Sequence, residues 1–170
     1  MNLEELFRFI PPGISNAAVK AAAQLDQLGV RYALAGGLAV GAHGYIRATV
    51  HVDFLVGEEA FEHHGPLVTF KAGVPIEVDG IRIDYLSPVA LGPQLEIVLD
   101  RPRSTGSLPV VPVEVLIYMK LIAGRRKDLL DLVELVKAGA DVKAARAYLA
   151  QYAPELGDKF DQLVTESLDE

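Results

Sequence analysis

The chain has 170 residues, 51% of them hydrophobic and 23% charged, with a formal net charge of −7; this is the profile of one globular unit with enough apolar material for a core. Its acidity argues against nonspecific coating of nucleic acid, while Arg101, Arg103, Arg125, Arg126 and Lys127 remain candidates for local basic contacts. There is no cysteine, which excludes a disulfide framework, a thiolate nucleophile and a Cys-based zinc site.

No apolar run approaches the roughly 20 residues of a membrane span. The opening MNLEELFRFIPPG lacks the basic start and unbroken apolar stretch of a secretory signal, so the expected location is cytoplasmic, with no membrane partner. Pro11-Pro12-Gly13 closes a short N-terminal piece. Ser15 or Asn16 is then placed to cap an alanine- and leucine-rich helix running to about Leu28. Gly29 ends it, and Val30 to Ala35 reads as a buried strand. Gly36-Gly37 leads into a short helix over Leu38 to His43, and the β-branched run Val50 to Val56 is a second strand.

Turn residues punctuate the middle of the chain. Leu67 to Lys71, Ile76 to Val78 and Ile81 to Leu86 are predicted strands, with Asp79-Gly80 as a hairpin signal. Leu95 to Leu99 is a further candidate strand, and Asp100 to Pro109 an exposed loop. From Pro112 onward the pattern is helical. Helices are expected from Pro112 to Ala123, Lys127 to Lys137, Val142 to Tyr152 and Pro154 to Leu168. The order predicts an α+β fold, with a mixed sheet packed against helices over residues 1–111 and a C-terminal helical segment over 112–170. Exposed apolar faces on that segment would suit a homodimer.

Three features could carry chemistry. Gly36-Gly37, between a strand and a helix, lets backbone approach a ligand such as phosphate, and tight strand-to-helix packing would explain it equally. His51 and Asp53 share a strand face, ~7 Å apart along the strand, where they could converge on a metal or simply face solvent. Asp84, inside the apolar run IRIDYL, needs solvent, a partner or a cation; Arg82 on the same face could pair with it. His63-His64 beside Gly65-Pro66 reads as an exposed turn, and His43 follows the glycines closely enough to approach a phosphate there.

The order of these features matters. The segment YALAGGLAVGAHGYIRATVHVDFLV, Tyr32 to Val56, resembles the signature of the nucleotidyltransferase superfamily. The nearest variants are the small prokaryotic proteins of abortive-infection and toxin–antitoxin systems. Gly36, Gly37, Ala39, Gly44, Arg47, Thr49 and Asp53 fall where that pattern expects them. IRIDYL resembles the strand that brings a third carboxylate, and MKLIAGRRKDLLDLVEL resembles the family's helix pair through Lys120, Ala123, Arg126, Lys127, Asp128 and Asp131. Taken alone, Lys127, Asp128 and Asp131 would read as a salt-bridged helix surface.

The resemblance implies a fold of nucleotidyltransferase type and metal-dependent transfer of a nucleoside monophosphate from a nucleoside triphosphate. By that resemblance Asp53 and Asp84 are catalytic. His51, Asp53 and Asp84 would hold the divalent metal (Mg²⁺ or Mn²⁺), and Gly36, Gly37, Arg47, Thr49, Lys120 and Lys127 the nucleotide. The acceptor, whether protein, RNA or small molecule, is not specified. In one respect the pattern is broken, because His51 stands where the family has the first aspartate of Asp-x-Asp. A neutral imidazole offers one nitrogen to one metal and suits Zn²⁺ or Mn²⁺ better than Mg²⁺. A chain that binds nucleotide without turnover, and an antitoxin-like interaction module, are therefore the alternatives.

Overall fold

A computed structural model describes residues 2–101 and 108–169; Arg103 and most of the expected loop over Asp100 to Pro109 lie outside them. The fold is α+β, a small mixed sheet held between two groups of helices. Helix α1 (Leu3–Phe7), which sequence reasoning missed, is closed by a capping box: the Asn2 side chain accepts from the Glu5 amide, and the Glu5 carboxylate accepts from the Asn2 amide. Helix α2 (Pro12–Gln27) starts earlier than Ser15. Proline's fixed φ suits the first helical position, so Pro12 opens the helix, and the Ser15 hydroxyl donates to the Pro12 carbonyl at 3.1 Å rather than capping.

Strand β1 (Tyr32–Ala35) is buried throughout, and α3 (Gly36–Ala42) follows without a linker. Strand β2 (Val52–Val56) runs antiparallel to β1. Next come β3 (Phe61–His64) and β4 (Leu67–Phe70), a separate hairpin turned at Gly65, whose φ is 64°. His63 and His64 thus lie on a strand rather than in a loop, because they pair with Val68 and Leu67 across that turn. Strand β5 (Glu77–Val78) and strand β6 (Ile81–Leu86) form the Asp79-Gly80 hairpin, with φ of 51° and 81° at its two turn residues. The sheet order is β1-β2-β6-β5, with β2 and β6 parallel.

The expected strand over Leu95 to Leu99 is helical instead. Helix α4 (Pro88–Leu91) is followed by a 3-10 turn over Pro93–Leu95 and by α5 (Glu96–Leu99). Pro93 opens a helical turn, and Leu95, Val98 and Leu99 are buried at the i, i+3, i+4 spacing of a helix face. Val110 then bridges to Leu34. The C-terminal helices are α6 (Val113–Ala123), α7 (Arg126–Lys137), α8 (Val142–Tyr152) and α9 (Gly157–Asp169). Gly124, at φ 63°, stops α6 and allows the chain to reverse into α7.

Strand alternation distributes the two cores. Tyr32, Leu34, Val52, Phe54, Val56 and Ile83 pack with α1, α2 and α3. Ala33, Ala35 and Leu55 pack with α5 to α9. By the same period of two, Asp53 falls on the side of Leu55, facing the C-terminal helices. Among the described residues no helix is long and apolar enough to cross a membrane.

Candidate metal centre

The parallel pairing of β2 with β6 sets Asp53 and Asp84 directly opposite each other. His51, just before β2, adds its ring to the same face. Its Nε2 lies 3.2 Å from Asp53 Oδ2 and 3.6 Å from Asp84 Oδ2. One ligand atom from each of the three residues can be chosen so that all lie within 4.8 Å of one another. This His/Asp/Asp cluster could hold a metal ion. Burial pushes the Asp53 carboxyl above its ordinary value; His51 opposes that shift and the Asp84 charge adds to it. Two carboxylates brought together in a half-buried setting favour a proton or a cation between them.

The glycine pair has a local cause. Gly36 sits at φ 60°, and a Cβ built there would lie 2.0 Å from Asp53 Oδ2. Only a residue without a side chain lets the Asp53 carboxylate rest against the β1–α3 turn. A Cβ on Gly37 would lie 2.7 Å from Thr49 Oγ1 and 3.2 Å from an Arg47 guanidinium nitrogen. Both glycines therefore make room for residues of β2 and of the chain leading into it. The pocket they border has a volume of about 330 Å³ and also touches Arg47, Thr49, Lys120 and Lys127. All nine of the expected site residues thus line one pocket. Leu86, Leu91, Leu116 and Met119 form its apolar wall.

The basic residues are less free than expected. Arg47 donates two hydrogen bonds to Asp131, from Nε at 2.7 Å and from a terminal nitrogen at 2.9 Å. The Lys120 ammonium is buried and donates to Asp131 at 2.8 Å and Asp128 at 3.1 Å. Arg125 adds an ion pair to Asp128 at 2.7 Å. Burial would raise the Asp128 carboxyl, but the hydrogen bonds from Arg125 and Lys120 outweigh it and bring it below its ordinary value. Asp128 and Asp131 are each only 1% exposed, so they are not the helix surface that their charge suggested. Lys127 is exposed at the pocket rim.

The Arg82–Asp84 pair expected from strand alternation is formed, with Arg82 Nε 3.0 Å from Asp84 Oδ1 and 3.2 Å from Oδ2. It coexists with the cluster and does not replace it. His43 is not at the pocket; a ring nitrogen lies 2.7 Å from the Val111 carbonyl oxygen. Sequence reasoning missed the buried network of Arg47, Lys120, Asp128 and Asp131. The signal was present, since Asp128, Asp131, Leu132 and Leu135 recur at the spacing of one helix face and all are buried. No family model matches this chain, and no curated protein matches it.

Proposed function

We propose that this chain is a nucleotidyltransferase-like protein, which transfers a nucleoside monophosphate from a nucleoside triphosphate to an acceptor with the help of a divalent metal, Mg²⁺ or Mn²⁺. The observation that carries the reading is the convergence in one pocket of three motifs distant in sequence: the Gly36-Gly37 turn, the His51–Asp53–Asp84 cluster and the basic residues of α6 and α7. A pocket of this size is at the lower end of those that enclose small ligands.

The donor set fits one divalent cation. It does not fit the pair of magnesium ions that the Asp-x-Asp motif serves, because His51 supplies one neutral nitrogen where that motif has a second bridging carboxylate. A bound cation would neutralise triphosphate oxygens and the charge that develops at the α-phosphorus. The residues of the chain account for the rest. Asp84, 38% exposed, is the carboxylate open to an acceptor hydroxyl and could take its proton. Lys127 reaches the rim where phosphate would enter. Arg47 and Thr49, packed over Gly37, line the same wall.

A second reading, nucleotide binding without turnover, has its own support. Besides the His51 departure, Arg47 and Lys120 are already tied to Asp131 and Asp128. Calorimetric titration with ATP, GTP, CTP and UTP, in Mg²⁺ and then Mn²⁺, tests both readings together with a transfer assay using α-labelled nucleotide. Metal-dependent binding that Asp53→Ala abolishes and His51→Asp strengthens is expected. Label transfer selects the enzyme, and binding without transfer selects the degenerate form. Silence with every nucleotide in both metals, for wild type and His51→Asp alike, overturns the nucleotide reading.

A further inference from the structure

We propose that the His51–Asp53–Asp84 centre takes a single borderline cation of the Zn²⁺ type in preference to Mg²⁺, and that the positive charge of the Arg82 guanidinium opposes the entry of a second ion. The inference rests on the reading of this cluster as a metal centre and not on nucleotide transfer.

Ligand chemistry is the first ground. Imidazole nitrogen suits zinc and its neighbours, whereas Mg²⁺ prefers six oxygens. One nitrogen and two carboxylates leave a fourth position open, as in zinc sites that bind a water or a substrate.

Donor spacing is the second ground. Bonds of about 2.05 Å put neighbouring ligand atoms about 3.3 Å apart around a tetrahedral ion and about 2.9 Å apart around an octahedral one with bonds of that length. The observed separations from His51 Nε2, 3.2 Å and 3.6 Å, bracket the tetrahedral value. Small side-chain rotations would seat a four-coordinate ion, while adjacent positions on an octahedral one need His51 drawn closer to both carboxylates.

Charge is the third ground. Repulsion between two divalent ions is four times that between unit charges at the same distance. Here only two carboxylates oppose it, and Arg82 already engages both oxygens of Asp84. The positive charge of Arg82 is also felt at Asp53. One divalent ion cancels the two carboxylates, and Arg82 adds one further positive charge; a second ion would leave a much larger uncompensated positive charge.

The test uses metals alone. The full chain, stripped of metal, is titrated calorimetrically with Zn²⁺ and with Mg²⁺. A His63→Ala/His64→Ala variant is run in parallel, to remove the exposed histidine pair of β3 as a source of zinc binding. One zinc per chain is expected, at least about tenfold tighter than Mg²⁺. Co²⁺ substitution should give the intense visible bands of a four-coordinate ion, a readout on wild-type protein that needs no variant to fold. Arg82→Gln should tighten zinc binding about fivefold by removing a neighbouring positive charge, and His51→Asp should shift preference toward Mg²⁺. Magnesium bound as tightly as zinc, a stoichiometry of two, or a six-coordinate cobalt spectrum overturns the single-ion centre. Unchanged affinity in Arg82→Gln overturns the role of Arg82. Zinc binding in a protein that binds no nucleotide would sink the transfer reading and leave this inference standing.

Discussion

Replacing Asp131 with alanine should be among the most damaging single changes available to this protein. The carboxylate is 1% exposed and accepts three charge-assisted hydrogen bonds, two from Arg47 and one from Lys120. Those cations are themselves well covered, with side-chain exposures of 15% and 9%. Removing the shared anion leaves the Arg47 guanidinium without its carboxylate and Lys120 with Asp128 alone, a change that costs about 3–5 kcal/mol. For a chain of this size each kcal/mol moves the midpoint by roughly 2–4 °C, so the melting temperature should fall by roughly 6–20 °C. Urea unfolding followed by circular dichroism measures the loss directly. Lys120→Met supplies a graded comparison. Asp131 then keeps Arg47 and Asp128 keeps Arg125, and the cost should drop to about 1–3 kcal/mol. Asp161→Ala, which breaks the exposed Arg146–Asp161 pair, should cost no more than about 1 kcal/mol. If Asp131→Ala were no more harmful than Asp161→Ala, the buried network would not be holding α6, α7 and the approach to β2 together.

Two further outcomes follow from other contacts. Gly36→Ala should strain a backbone at φ 60° by about 1–2 kcal/mol and drive the new Cβ into the Asp53 carboxylate; metal titration should show at least about tenfold weaker binding, and unaltered affinity would contradict the packing role given to this glycine. Burial would raise the Glu59 carboxyl, but hydrogen bonds from Arg31 bring it down to about 2 from an ordinary 4.5; the contribution to stability is therefore complete above about pH 4.5 and lost as pH falls toward 2, so Glu59→Gln should flatten the pH dependence of unfolding across that window, and a variant with the wild-type slope would contradict it.

Much of the fold was legible because the strands carry strong local signals. The run YALA between two glycines, the β-branched approach to Val56 and the Asp79-Gly80 turn all marked sheet elements correctly. Leu95 to Leu99 misled because a short apolar run fits either a buried strand or one helical turn; Pro93 and the i, i+3, i+4 spacing decide it. Strand β4 was expected at Leu67 to Lys71, but its partner β3 escaped because its histidines are not typical strand residues, although Gly65-Pro66 between Phe61 and Phe70 was a turn signal. At the site, the common face of His51 and Asp53 follows from strand periodicity alone. Its junction with Asp84 does not, because strand partnership across about thirty residues is a tertiary choice. The ties of Arg47 and Lys120 were hidden for the same reason. Basic residues look available in a sequence until the elements that carry their partners are packed against them.

The short strip from Pro109 to Pro112 bears on how the sheet meets another chain at the β1 edge. Beside β1, Pro109 offers its carbonyl to the Leu34 amide at 2.7 Å, and the Val111 amide returns a bond to the Leu34 carbonyl at 3.0 Å. The Val111 carbonyl is in turn met by a ring nitrogen of His43. Two of the four residues are prolines, with no amide to offer. A fully buried apolar strand such as β1, left as a bare edge, would be a template for another chain to extend the ladder. The strip ends the ladder in main chain that lacks two of its four amide donors, which disfavours growth of the sheet on that side.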